Sequence, residues 1–277
     1  MIRIKNYING KLITPKNKEY LNCYNPNNQK LYALCPNSKK ADLTLAINSA
    51  KKSFNKWASL DRMERAEYLF KISHLLKKEF EKFVTAESMD TGKPLALARK
   101  LDIPRSIDNL KFFASAIANF SSDSFLNEKN SLHYTLKQPL GIVGCISPWN
   151  LPLYLFTWKI APALITGNCV IAKPSELTPM TAYLFSKICI KAKLPPGVLN
   201  IIHGTGNGIG EHITSNKNIR AISFTGSTQV GKKIAEKTAP SLKKVSLELG
   251  GKNPVIIFSD CNYKKMMKTI LKSSFLN

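Results

Sequence analysis

Acidic residues are scarce in this chain of 277 residues: 18 aspartates and glutamates stand against 41 lysines and arginines, a formal net charge of +23. Arginine is scarcer still, with only six in the chain. Such a balance suits a nucleic-acid or anionic-membrane partner when the cations cluster. Here the lysines are spread over every segment, asparagine is abundant too, and no nucleic-acid-binding module is recognisable. The excess therefore reads as compositional bias on solvated faces, and no nucleic-acid partner is expected. Long apolar runs are also lacking: Leu151 to Ile165 is interrupted by Lys159 and by prolines, so it reads as a buried core helix and no membrane partner is expected. The N-terminus, MIRIKNYINGK, has no apolar core of a secretory signal. C-x-x-C spacing is absent. The six cysteines (Cys23, Cys35, Cys145, Cys169, Cys189 and Cys261) are scattered, two of them in apolar runs that read as buried strands. Free thiols in a reducing cytoplasm are expected, with neither disulfides nor a metal site. No internal repeat is evident.

What is there divides by period. Residues 1–35 read as short strands and turns, with Asn9-Gly10 a hairpin turn and Asn25-Pro26-Asn27 a loop. Leu43, Ile47, Ala50, Phe54 and Trp57 follow helical spacing, and Leu69, Ile72, Leu76, Phe80 and Phe83 do so again, as core-facing stripes. Thr91-Gly92 breaks the pattern, a further helix runs towards Phe120 with Pro104 restarting it, and residues 121–130 are a polar loop before an exposed strand at His133–Lys137. From Gly141 strands and helices alternate. GIVGCI (141–146) suits a strand buried on both faces, Leu151–Ile165 the helix, Gly167-Asn168 its stop and CVIA (169–172) the next strand. The alternation continues through helix 181–193, strand 198–202, strand 221–224, helix 229–237 and strand 245–247, the pattern of a doubly wound parallel sheet.

Polar residues gather at the rim of that sheet. Ser147-Pro148-Trp149-Asn150 and Lys173-Pro174-Ser175-Glu176 each sit just past a strand end, where open parallel sheets bind ligands. Read without further context, Lys173 and Glu176 are an ordinary surface ion pair at a helix entry and Asn150 a turn former. Gly204, Gly206 and Gly210 make G-x-G-x-x-x-G, one residue longer than the dinucleotide fingerprint, and serve a phosphate loop or a plain glycine turn equally well. Glu248 follows an apolar strand and precedes two glycines. Shielded there it would resist ionisation and could take a proton from water, or it could be a buried carboxylate paired with Lys252. Arg105, in DIPRS, is either a surface ion-pair residue or a bidentate clamp for a substrate carboxylate.

SPWNLPLYLFTWKIAPAL, GNCVIAKPSELTP, ISFTGST and LELGGKNP, in that order, resemble the signature blocks of the NAD(P)-dependent aldehyde dehydrogenase superfamily. The similarity runs from Asn6-Tyr7-Ile8-Asn9-Gly10-Lys11 to the last residue. LARKLDIPRSIDNLKFFAS together with the first block is most similar to the 2-aminomuconic and related muconic semialdehyde dehydrogenases. The resemblance implies an α/β fold with a discontinuous Rossmann-type NAD-binding domain (1–124 and 141–250), a bridging hairpin at 125–140 used in subunit contact, and the start of a second α/β catalytic domain at 251–277. It implies conversion of an aldehyde, NAD and water to a carboxylate and NADH, the aldehyde being a carboxylate-bearing semialdehyde. Asn150 would stabilise the oxyanion and Glu248 would activate water for thioester hydrolysis. Lys173 and Glu176 would reach the adenine-ribose hydroxyls, and a carboxylate there repels a 2′-phosphate, favouring NAD over NADP. The pyrophosphate would lie at Thr225-Gly226-Ser227. Further contacts are implied at Ile146, Ser147, Pro148, Trp149, Pro174, Ser175, Gly206, Gly210, Phe224, Val230, Leu249 and Gly250. The family's nucleophilic cysteine sits in a block resembling S-F-x-N-x-G-Q-x-C, and this sequence reaches only Ser274-Phe275-Leu276-Asn277 of it. None of its six cysteines has that context. The expectation is a truncated chain, inactive alone. A non-catalytic NAD-binding remnant and one half of a split enzyme remain the alternatives, and full-length relatives are homo-oligomers.

Overall fold

A computed structural model describes residues 1–128, 131–251 and 254–276. In chain order the elements are β1 (Ile2–Arg3), β2 (Asn6–Ile8), β3 (Lys11–Ile13), β4 (Tyr20–Tyr24), β5 (Leu31–Pro36), α1 (Lys40–Ala58), α2 (Arg62–Lys78), α3 (Phe80–Thr91), α4 (Leu95–Leu97), a π-helical turn (Ala98–Asp102), α5 (Ile103–Ala116), β6 (Ser124–Leu126), β7 (Leu132–Tyr134), β8 (Ile142–Ile146), α6 (Pro152–Ile165), β9 (Cys169–Lys173), α7 (Met180–Lys191), β10 (Leu199–Ile201), α8 (Glu211–Ser215), β11 (Ile219–Gly226), α9 (Thr228–Thr238), β12 (Lys244–Leu249) and α10 (Tyr263–Phe275).

Five consecutive parallel strands, β12 to β10, make up one side of a seven-stranded sheet ordered β12-β11-β8-β9-β10-β2-β3. The chain enters at β8, moves outward through β9 and β10, then returns to β8's other side for β11 and β12. Right-handed crossovers put the helices of the two excursions on opposite faces, which is the doubly wound architecture. Every residue of β8 and β9 is buried, as expected of strands covered on both sides. Beyond β10 the hairpin β2–β3 adds antiparallel, Tyr7 opposite Ile201, and covers what would otherwise be an open edge. Asn9 and Gly10 at its tip both have positive φ, the conformation an Asn-Gly hairpin turn supplies.

The anticipated stripe of α1 faces the core: Leu43, Ile47, Ala50 and Trp57 are buried and Phe54 packs against them. The second stripe is interrupted, because the chain leaves α2 at Glu79 and starts α3 at Phe80. Neither proline nor glycine marks that break. Residues 121–130 are not wholly loop, since Ser124–Leu126 pairs with Leu132–Tyr134 as a two-stranded ribbon; both strands are exposed along their length. The strand there begins at Leu132 and ends at Tyr134, short of the expected Lys137. Within the 125–140 hairpin, residues 129–130 lie outside the described residues.

α6 is held from its C-terminal end. Buried donors from two other helices reach its last carbonyls: Trp57 Nε1 donates to Leu164 O at 3.1 Å and Arg65 Nε to Ile165 O at 2.9 Å. Ile165 O has no partner within the helix, so its bond removes a desolvation penalty, whereas Leu164 O also accepts from Gly167 N at 2.9 Å and gains a second donor. Asn168 then ties the end of α6 to the start of β8, donating to Ala163 O (3.1 Å) and accepting from Leu140 N (2.7 Å) and Gly141 N (3.2 Å). The N-terminal end of α6, where the polar rim lies, is thereby aimed by contacts at the other end of a 14-residue helix.

Candidate functional site

The sheet reverses its winding between β8 and β11, which are neighbours with Ile146 opposite Phe224. The crevice past their carboxyl ends is where this topology places a ligand. A cavity of about 780 Å³ opens there, lined by Pro148, Trp149 and Asn150 after β8, by Thr225, Gly226 and Ser227 at the end of β11, and by Glu248, Leu249 and Gly250 at the end of β12. A second cavity, of about 360 Å³, takes the preceding residues of the same strands, Ile146 and Phe224, together with Gly206, Gly210, Val230 and Ile234. The two cavities thus flank one pair of strand ends.

Local sequence explains the geometry. Ser227 caps α9, its hydroxyl accepting from Val230 N at 3.3 Å, so the first turn of an 11-residue helix points its free N–H groups at the crevice. A Cβ on Gly226 would lie 2.4 Å from the Phe224 ring, so only glycine lets β11 turn there. On the β9 side, Lys173 is the last strand residue and its ammonium lies 2.7 Å from Glu176 Oε2. This is no surface pair: the Lys173 side chain is 4% exposed. Burial pushes the Glu176 carboxyl up, but Lys173, helped by the backbone N–H groups of Glu176 and Gly206, more than offsets this and holds it below the usual glutamate range. Glu176 also accepts from Gly206 N at 3.3 Å, which brings the glycine run to the same rim. That run forms a π-helical turn, Gly206–Gly210, capped by the Thr205 hydroxyl, and not a G-x-G-x-x-G loop. Pro174 and Ser175 are buried beside the pair, and Ser147 donates its N–H to Lys173 O at 3.1 Å, locking the two rims together.

One sequence expectation needs correction. Glu248 is exposed on β12, the sheet's outermost strand, so the described residues give it no apolar shielding. The alternative pairing with Lys252 lies outside the described residues, as does the last residue of the S-F-x-N block, Asn277. Arg105 lines neither cavity; it is exposed on α5, its guanidinium 5.5 Å from the centroid of the Tyr154 ring and 3.5 Å from the Tyr154 hydroxyl. Other residues were missed. Thr91, Gly92, Lys93 and Pro94 line the first cavity, and Glu211, Lys233 and Lys237 the second. The T-G-K-P run reads only as a helix stop, although a lysine immediately after such a stop is a usable signal.

The cysteines divide plainly. Cys23, Cys35, Cys145, Cys169 and Cys189 are buried and Cys261 is exposed, and none lines the cavity that holds Asn150. Burial pushes the Cys145 and Cys169 thiols up to about 12, the opposite of what a nucleophile needs. Among the described residues no three histidines, cysteines or carboxylates group as a metal site, and no helix is long and apolar enough to cross a membrane.

Comparison with known proteins points to one family. Residues 13–277 match the Aldehyde dehydrogenase family. The chain is 45% identical to human 2-aminomuconic semialdehyde dehydrogenase, over 100% of its own length and 57% of that protein. It is 37% identical to 2-hydroxymuconic semialdehyde dehydrogenase of Pseudomonas sp. (strain CF600), covering 58% of it. The NAD+ complex of the Bacillus cereus aldehyde dehydrogenase superposes with a TM-score of 0.93 at 32% identity, over 98% of this chain and 55% of that one. The chain therefore spans about half the length of the relatives it matches.

Proposed function

The chain belongs to the aldehyde dehydrogenase family, and from that premise we propose that it is the dinucleotide-binding part of an NAD-dependent enzyme oxidising a carboxylate-bearing semialdehyde to a carboxylate. The observation that carries this reading is the meeting of Asn150, Ser227 and Glu248 in one cavity at the switch point of the sheet, with the Lys173–Glu176 pair at the neighbouring rim.

The residues present fit a dinucleotide. The second cavity has apolar walls (Ile146, Phe224, Val230, Ile234) suited to a planar base, and its glycines leave open space: a Cβ on Gly206 would meet nothing within 4 Å. Glu176, kept ionised by Lys173, accepts from ribose hydroxyls and repels a 2′-phosphate, which selects NAD. The helix start at Ser227 offers N–H groups to a pyrophosphate. When bound, the nicotinamide supplies the two-electron oxidant. Asn150 donates its side-chain amide to the aldehyde oxygen as negative charge develops, an effect worth roughly 3 kcal/mol. Glu248 takes the proton of the water that hydrolyses the acyl intermediate. Arg105 is the proposed clamp for the substrate's own carboxylate; a variant Arg105→Ala with unchanged KM for the acidic aldehyde would remove that assignment. The nucleophile is not assigned to any of the six cysteines, so the 277 residues do not turn over alone. Residues 1–124 and 141–250 form the NAD-binding domain, 125–140 the bridging hairpin of a homo-oligomer, with Phe125, Leu126, Leu132 and Tyr134 all exposed, and 251–277 the first part of a catalytic domain. The protein works in the cytoplasm.

Calorimetric titration with NAD and with NADP tests the reading. NAD binds more tightly, and Glu176→Gln narrows the difference. A folded protein that ignores NAD overturns the proposal, and NADH formation by purified protein of this length overturns its inactivity alone.

A further inference from the structure

Beneath the turn that carries Asn150 lies a buried charged corner to which the proposed chemistry assigns no task. α3 ends at Thr91, and Gly92 reverses the chain at φ 78°, where a Cβ would lie 2.9 Å from Pro26 Cγ. Lys93 is thereby sent back under the rim. Its backbone is fixed twice, by Ser88 Oγ donating to Lys93 O (2.7 Å) and by Lys93 N donating to Thr91 Oγ1 (3.3 Å). Its ammonium donates to Asp102 Oδ1 at 3.1 Å and to the backbone carbonyl of Asn150 at 3.1 Å. The Lys93 side chain is 7% exposed and that of Asp102 is fully buried. Asp102 closes the π-helical turn Ala98–Asp102, an irregularity that recurs at functional sites.

A buried lysine paired only for stability needs one carboxylate, and such a pair contributes little after desolvation. The bond to the Asn150 carbonyl is the informative one. α6 begins at Pro152, and Leu151 is the first residue whose carbonyl receives a helical N–H, from Leu155 at 3.0 Å. The carbonyl of Asn150 lies outside that ladder and takes its donor from Lys93 instead. That bond holds the peptide joining Asn150 to Leu151, directly beside a residue that lines the cavity.

We infer that Lys93, anchored by Asp102, is a positioning residue that holds the Asn150 turn in register with the cavity. The inference rests on Asn150 being the amide that meets the developing oxyanion. A displacement of the order of 1 Å in such a donor reduces turnover by about 100-fold.

Two measurements test it. In the 277-residue protein, Lys93→Met keeps the length of the side chain and removes the donor. Amide hydrogen exchange within 147–151 then accelerates at least tenfold, read at the Ser147 N–H that donates to Lys173 O, while β9 and α3 keep their protection and NAD affinity stays within twofold. Lys93→Arg restores most of the protection. Acceleration spread evenly over the sheet, or none in 147–151, overturns the inference. In a form of the enzyme that turns over, Lys93→Met lowers kcat about 10- to 100-fold with little change in KM, and the double variant with Asn150→Ala is no slower than Asn150→Ala alone. Multiplying losses overturn the inference. If instead Asn150→Ala leaves kcat unchanged, the functional reading of Asn150 fails, while the exchange result still reports on the Lys93 contact.

Discussion

Two stretches of this chain are equally apolar and meet opposite fates. In β8 and β9 every residue is buried, and Phe156 on the connecting helix is 1% exposed, packed edge-to-face on Phe185 at 5.7 Å. In the stretch 255–258, Val255, Ile256, Ile257 and Phe258 are 60%, 75%, 52% and 71% exposed, and α10 behind them shows Tyr263, Leu271 and Phe275 to solvent. Hydrophobicity alone does not bury a residue; a covering layer does. β8 and β9 have neighbours on both edges, whereas β12 is the last strand of the sheet and is mostly exposed. The charges follow the same division: Lys93–Asp102 and Lys173–Glu176 are held in the interior, while Lys237–Glu211 and Arg99–Glu81 lie in water.

The sharpest way to break this comparison is to delete one phenyl ring from each region. Phe156→Ala removes a core ring and leaves a cavity against Phe185, with an expected loss of about 3–5 kcal/mol in urea unfolding. Phe258→Ala changes stability by no more than about 0.5 kcal/mol and reduces self-association, because its ring faces water. Equal losses in the two variants would mean that the 255–258 stretch is covered in solution.

How much of this was legible beforehand follows the same physics. The alternation from β8 onward, the Asn-Gly hairpin and the stripe of α1 were readable because each is a local pattern that the surrounding fold reinforces. The polar rim was readable as strand ends, and the family resemblance supplied the roles proposed for Asn150 and Glu176. What escaped depends on distant partners. The α2–α3 break at Glu79 carries no local breaker; its carboxylate reaches Lys82 at 3.1 Å and also Lys191, 112 residues away. Lys93 meets Asp102 and Asn150 only because Gly92 turns the chain back against Pro26. Glu248 was expected among apolar side chains because its strand is apolar, yet an edge strand shields nothing by itself.

A second effect separates the buried corner from the surface by pH. Burial pushes the Glu87 carboxyl up to about 8, with the Asp102 and Asp90 charges adding to it and Lys93 and the Leu153 N–H opposing. A carboxyl with a raised folded-state value contributes most at low pH. Its share of stability is complete below the ordinary glutamate range and is lost as pH rises from there through about 8. Glu87→Gln cannot ionise and keeps its stability across that window. The difference between wild type and Glu87→Gln in urea unfolding, followed from pH 4 to 9, therefore tilts towards the variant by up to about 1.4 kcal/mol per pH unit. Asp90, pushed up to about 7 by burial, titrates in the same window and is coupled to Glu87 by charge, so the tilt reports the pair. A flat difference would show that the Glu87 carboxylate is not held in the interior as described.

The smallest expected change in stability comes from the surface pairs, and it sharpens the comparison by contrast with an interior one. Arg99 meets Glu81 through two bonds, at 2.9 and 2.8 Å, a better geometry than the single 2.7 Å contact of Lys173 with Glu176. Counting bonds alone would rank the Arg99 pair higher. Both its side chains are about half or more exposed, however, so water and salt screen the attraction, and two long side chains must be ordered to make it. Glu81→Gln accordingly leaves the unfolding midpoint unchanged within error at physiological ionic strength. Lys173→Met, by contrast, leaves Glu176 without its cation at a half-buried rim, and a titration reports weaker NAD binding even where the fold survives. If the two substitutions proved equally silent in both unfolding and titration, burial would not be what distinguishes the rim from the surface, and the place of Lys173 in the dinucleotide site would fall with it.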